Sequence, residues 1–393
     1  MRVRVPSSPP HGSKPRSRLN CFSLIDGLQL VSMIVTILLF LALLSILVLA
    51  HEWGHFATAR KVGMIVEEFG IGFPPRLFSW TSKTGTVWSI NLIPIGGFVR
   101  IQGENGDNKS AAGSFATKSF LARFAVLFGG VFMNLAVAAV LFSIGFGFGL
   151  PSVIEGGVDA RAIVTDESIH VVQVLPGSPA EQAGVLNGDQ VNSIDGEIFA
   201  DGEAAREALR PNADGSPIEI KIERSGEEQT LKLAPTYIED IGREGVGLAL
   251  VETGKVRYPW YFAPIKGVTT TLSMTVQIVD AFGKLIVGVF TQDSNVAAQL
   301  SGPVGIAVIT GQVADLGLAH LVQFAAMLSV NLAVLNALPF PALDGGRILF
   351  LAIEAVRRKP VSQGFEQAVH ATGFALLILL VVFVTYRDIV NLF

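Results

Sequence analysis

Residues Ala50–Arg60 read AHEWGHFATAR, and they end the apolar run VSMIVTILLFLALLSILVLA at 31–50. A run of about 20 such residues is long enough to cross a bilayer as a helix. Two imidazoles and a carboxylate at the end of that helix are costly in lipid and call for a chemical reason. His51 and His55 stand four apart, so on a helix they share a face and both rings can reach one metal ion. Glu52, one step round, can touch a water on that ion and act as general base. The bland alternative, two satisfied core histidines, leaves Glu52 without a role.

Working outward, the composition agrees with a membrane setting. Of 393 residues, 50% are hydrophobic and only 16% charged, against about 25% in soluble proteins. A net charge of −4 and the absence of any basic block interleaved with aromatics argue against a nucleic-acid partner. The single cysteine, Cys21, rules out an internal disulfide and a cysteine-based metal site.

Apolar runs predict about four transmembrane helices, near 28–50, 120–150, 318–338 and 368–386. The segment 262–290 is apolar but interrupted by Lys266, Gln277, Asp280 and Lys284, and reads as an interfacial helix. Eight Lys/Arg between Arg60 and Arg123, and four between Arg347 and Lys359, make those loops cytoplasmic and set Pro151–Gly317 on the outer face. The tail at 1–27 breaks that rule with five basic residues between Arg2 and Arg18. It is expected to be disordered or a start-site artefact. The predicted order is then a first membrane half at 28–150, a soluble domain at 168–252, a linker at 255–315 and a second membrane half at 316–393.

Between the first two spans, Gly and Pro punctuate short β-prone runs from Ile71 to Glu104, with TSKTG as the turn of a hairpin. Backbone of that kind is tolerated at membrane depth only under protein cover or beside a wet cavity. In the outer segment, PGSPAEQAG, NGDQVNSIDG and the alternating IEIKIERSGEEQTLKL predict a compact α/β domain.

A catalytic zinc needs a third protein ligand. Asp344, in NALPFPALDGGR, lies on the same side as the end of the first span, and its prolines and glycines predict a broken turn there. His11, His170, His320 and His370 are poorer candidates by position.

Together these residues resemble the site-2 protease family of intramembrane zinc metalloproteases, over nearly all of the chain from Leu28. The resemblance includes the hairpin text, GVFMN at Gly130–Asn134, GPVGI at Gly302–Ile306 and a single PDZ-like domain. It implies a polytopic α-helical membrane protein with a membrane-associated β-hairpin and an inserted PDZ-like domain. It implies Zn²⁺ held by His51, His55 and Asp344, and Glu52 as the catalytic base. It also implies that the hairpin, around Ile90, Asn91 and Leu92, offers an edge strand to substrate. The implied substrates are single-span proteins trimmed on their outer side, such as anti-sigma factors or remnant signal peptides, in a bacterial inner membrane. The active site would lie toward the cytoplasm.

Asn331 and Asn336, polar within the third span, are expected to contact substrate or a neighbouring helix. Gly130 and Asn134, four apart in the second span, read as close helix packing. REGVGLAL at Arg243–Leu250 could receive a peptide carboxylate, or the domain could only block access sterically. The rival class is a catalytically silent scaffold that binds peptides through its PDZ-like domain. Intact His51, Glu52, His55 and Asp344 argue against it.

Overall fold

The computed structural model describes residues 19–104, 111–199, 201–211, 216–224, 226–238, 242–291 and 302–392. Helix α1 (Leu19–Lys61) is a single 43-residue element that starts inside the stretch expected to be tail. Residues 1–18 lie outside the described part. Arg60 and Lys61 close α1, where cations complement the negative end of the helix dipole.

Strands β1 (Val66–Thr81) and β2 (Val87–Ile101) form the hairpin, but it is folded over on itself. Glu68 pairs with both Arg100 and Val87, and Ile71 with both Gly97 and Ile90. The first half of β1 therefore lies between the two halves of β2. A buried carboxylate anchors the fold-over. Glu68 is 4% exposed and accepts from Ser89 Oγ and Arg76 Nη2, each at 2.6 Å. Such charge-assisted bonds offset the cost of desolvating the group.

Helix α2 (Phe120–Phe148) starts at Ser119, whose side chain accepts from Ala122 N–H. Its crossing with α1 is a backbone contact: a Cβ on Gly54 would overlap the Gly129 carbonyl, and one on Gly129 would sit 2.7 Å from the Gly54 carbonyl. Only paired glycines allow that approach.

The chain then builds the inserted domain from β3 (Leu150–Val153), β4 (Ile163–Val174), α3 (Pro179–Gln182), β5 (Gln190–Ile194), α4 (Gly202–Ala208), β6 (Ile218–Arg224), β7 (Glu227–Leu233), β8 (Thr236–Ile238), β9 (Arg243–Gly245) and β10 (Leu248–Arg257). Six strands form one sheet in the order β3-β10-β4-β5-β6-β7. Ile218, Ile220 and Ile222, alternating along β6, point into a core shared with Ala180, Val185, Ala205 and Leu209. Asp189, 2% exposed at its side chain, takes a bidentate pair from Arg224 at 2.7 and 2.6 Å and a third bond from Leu186 N–H. Burial alone would raise this carboxyl, but the Arg224 and Leu186 hydrogen bonds hold it below its ordinary value. A depressed carboxylate adds stability above its unfolded pKa of about 3.9, and that stability drains away as pH falls below it. Wild-type protection of β5 and β6 from hydrogen exchange should therefore fall between about pH 5 and 3. In Asp189→Asn it should be weaker by about 1–3 kcal/mol at neutral pH and lose most of that acid dependence.

Helix α5 (Ala263–Thr291) covers the segment expected to be interfacial. It runs back along α2: a Cβ on Gly267 would sit 2.6 Å from the Ala139 carbonyl, and Met274, Ile278 and Phe282 pack against the buried cluster that includes Ala138 and Phe142. Its charges do not break it, since Asp280 and Lys284 pair at 2.7 Å across one turn. After α6 (Pro303–Asp315) come α7 (Leu318–Ala337), α8 (Asp344–Arg357) and α9 (Gln363–Leu392). Asp388 near the end of α9 accepts from Gly302 and Gly305 N–H and so caps α6; a Cβ on Gly302 would sit 2.7 Å from Asp388 Oδ2, which accounts for that glycine.

Among the described residues, five helices are long and apolar enough to cross a membrane: those at 32–61, 120–148, 263–288, 318–337 and 363–390. Their most apolar windows are at most 39% buried within the molecule. Large apolar faces left uncovered in this way are those of an integral membrane protein.

Candidate metal centre

His51 and His55, 6% and 7% exposed, turn their Nε2 atoms toward each other at 3.1 Å. Asp344 opens α8 and brings Oδ2 to 2.9 Å from His51 Nε2 and 3.2 Å from His55 Nε2. The three ligand atoms lie within 4.8 Å of one another. Atoms held by one zinc at about 2 Å sit roughly 3.3 Å apart at the tetrahedral angle, so this donor set fits that ion. Burial raises the Asp344 carboxyl, but hydrogen bonds from both histidines outweigh it and hold the group well below the usual carboxylate range. It is therefore a carboxylate at neutral pH, the form that can bind a cation.

The space is prepared by what is missing from α2. A Cβ on Gly130 would lie 2.5 Å from His55 Nε2 and 2.7 Å from His51 Nε2. Glycine at this position leaves room beside both Nε2 atoms. Behind the rings, His55 Nδ1 donates to the Val126 carbonyl at 2.8 Å, which leaves Nε2 as the nitrogen able to bind a metal. Glu52 is half-buried, and its Oε2 accepts from Val99 N–H of β2 at 3.0 Å.

Asp344 is set by a tight connection. Ala342 has φ +82°, and a Cβ on Gly345 or Gly346 would overlap the carbonyls of Leu338 or Phe340. His370 Nδ1 accepts from Ala342 N–H at 2.9 Å. His370 is thus a brace for the aspartate's turn, a role invisible to its spacing in the sequence.

Asn331 and Asn336 are half-buried on α7, with no side-chain hydrogen bond among the described residues. The expectation for the hairpin needs correcting. Ile90 is flanked by Ile71 and Phe78, and Asn91 spends its amide on Ile71 and Gly72 carbonyls inside the hairpin. Leu92 is 54% exposed. Because the hairpin folds over, residues 87–91 are interior. The half of β2 at Gly97–Ile101 pairs with β1 on one side only and presents Val99 N–H to Glu52.

The arrangement is that of a metal-dependent hydrolase set among apolar helices. Residues 39–380 match the model for peptidase family M50, and the chain belongs to that family. It is a zinc metalloendopeptidase of the site-2 protease type. Relatives include a Rhizobium meliloti protein named provisionally as a zinc metalloprotease, 33% identical over 94% of this chain and 99% of its own. Zinc metalloprotease RasP of Geobacillus kaustophilus is 31% identical, covering 93% and 100%. Regulator of sigma-W protease RasP of Bacillus subtilis is 29% identical, covering 91% and 99%. Among solved structures, a PDZ domain of an SdrC-like protein from Listeria monocytogenes is similar at 23% identity, covering 22% of this chain and 92% of its own, with a TM-score of 0.20.

Proposed function

We propose that this chain hydrolyses a peptide bond in or beside the membrane-spanning segment of single-span proteins. The observation that carries the reading is the meeting of His51, His55 and Asp344 ligand atoms beside Glu52 at the end of an apolar helix. His51, His55 and Asp344 would hold the zinc. Zinc bound there supplies Lewis-acid polarisation of a carbonyl and acidifies a water molecule. Glu52 takes the proton of the attacking water and returns it to the leaving amine. Val99 N–H keeps one carboxylate oxygen fixed, so the other is free for this traffic.

A helix hides its carbonyls in hydrogen bonds, so the substrate must unwind before attack. Strand addition along Gly97–Ile101, with Leu92, Asn331 and Asn336 as further contacts, would hold the opened segment beside Glu52. The inserted, PDZ-like domain would exclude substrates with bulky outer parts.

The membrane reading is α1, α2, α7 and α9 as spans, with α5 returning along α2. Gly311 on α6 meets Thr36 near the start of the apolar span at 32–61, and Gly302 meets Val384 near the end of α9. The first and last spans therefore begin and end on one side, as an even number of crossings requires. Loop charges make the metal end cytoplasmic. The sigma-W regulator among the relatives favours anti-sigma factors as a substrate class.

The test is cleavage in detergent of a single-span substrate, with and without a folded outer domain. Wild type should cut the trimmed form faster, and Asp344→Ala should lose both zinc and cleavage. Undiminished zinc in Asp344→Ala, or no cleavage of any single-span substrate, would count against the reading.

A further inference from the structure

The two histidines are backed by one face of α2, and only one backing is accounted for. Val126, Gly130 and Asn134 recur every four residues along it. Val126 gives its carbonyl to His55 and Gly130 leaves room for the metal-facing nitrogens. Asn134 is fully buried, at 0% exposure. Its Nδ2 lies 3.5 Å from His51 Nδ1, and its Oδ1 is buried without a hydrogen-bond partner. Its own backbone carbonyl accepts from Ser329 Oγ of α7 at 2.8 Å, which pins this turn of α2 against a second helix.

A histidine that ligates metal through Nε2 carries its proton on Nδ1 and needs an acceptor there. An amide with nitrogen toward His51 offers a donor instead and would force the proton onto Nε2, where it blocks the metal. A half turn about the Cβ–Cγ bond exchanges the two atoms and costs no space. Oδ1 then accepts from His51 Nδ1–H, and Nδ2 takes the buried position that Oδ1 held. We infer that Asn134 is the positioning residue for His51: its amide oxygen holds the imidazole in the Nε2-ligating tautomer.

This assignment rests on the zinc reading above and adds to it. A mere packing role for Asn134 predicts that isosteric leucine is tolerated and that a buried aspartate is not. A positioning role predicts the reverse, because a carboxylate is a stronger acceptor for Nδ1–H and completes the carboxylate–histidine–metal pattern.

The experiment is zinc release from the full chain in detergent, followed with a colorimetric chelator, for wild type, Asn134→Asp, Asn134→Leu and His51→Ala. The absorption bands of the cobalt-substituted forms are recorded in parallel. Expected are release about 10–100-fold faster for Asn134→Leu, release no faster than wild type for Asn134→Asp, and cobalt bands altered only in the leucine variant. Should leucine prevent folding, Asn134→Ala is measured with the same expectation. Wild-type release from a folded leucine or alanine variant overturns the inference, as does equal loss in aspartate and leucine. A wild-type chain whose zinc is indifferent to His51→Ala overturns the metal reading itself, and this inference with it.

Discussion

Glu52→Gln is expected to keep its zinc and lose cleavage by about 10²–10⁴-fold or more. Glutamine has nearly the shape of glutamate, so its amide oxygen can still accept from Val99 N–H at the position Glu52 Oε2 holds now. What it cannot do is take a proton from water. The residue is not among the converging ligand atoms of His51, His55 and Asp344, so metal content should stay near that of wild type. The measurement pairs metal analysis with single-turnover cleavage of a single-span substrate. Equal cleavage by the two proteins would end the assignment of Glu52 as base.

Gly130→Ala should do the opposite, losing the metal while sparing the helix. Alanine favours a helix interior over glycine by about 1 kcal/mol, so α2 itself has no reason to unravel. The added methyl, however, would stand 2.5 Å from His55 Nε2 and 2.6 Å from His51 Cε1. Neither ring can retreat freely, since His55 is tied to the Val126 carbonyl and both sit in the buried α1–α2 contact. Displacing a ligand by an ångström is enough to cost about 10²-fold in rate. Zinc content should fall sharply while the helical circular dichroism holds. A Gly130→Ala protein with full zinc would show that the rings yield more easily than their hydrogen bonds suggest.

The metal centre was the most legible part of the sequence. His51, Glu52 and His55 follow from one helical period, and Asp344 from topology plus a glycine-rich turn. The roles of Gly130, Asn134 and His370 were not legible, for a common physical reason. Each acts on a group far away in sequence: 83 residues separate Asn134 from His51, and 28 separate His370 from Ala342. A glycine or asparagine in an apolar helix reads as packing until the partner is seen. The hairpin misled differently. Alternation and a turn predict two strands, but not that a buried Glu68 with Ser89 and Arg76 folds the pair over and moves Ile90 inward. Helix α5 runs unbroken through Asp280 and Lys284, whose pairing across one turn could not be read from either residue singly.

His51 and Asp344 are 293 residues apart, so a metal shared between them is also a clip joining the first helix to the last part of the fold. The hairpin, the inserted domain and most of the long helices lie within the loop it closes. Removing the ion would therefore free α8 from α1 as well as silence the chemistry, leaving the Arg123–Glu354 and Arg347–Glu104 ion pairs as described ties from α8 to the first half. Recovery of activity after zinc is returned should then run in step with zinc uptake, and both should be slow, because the ion is held only once Asp344 has closed on His51 and His55.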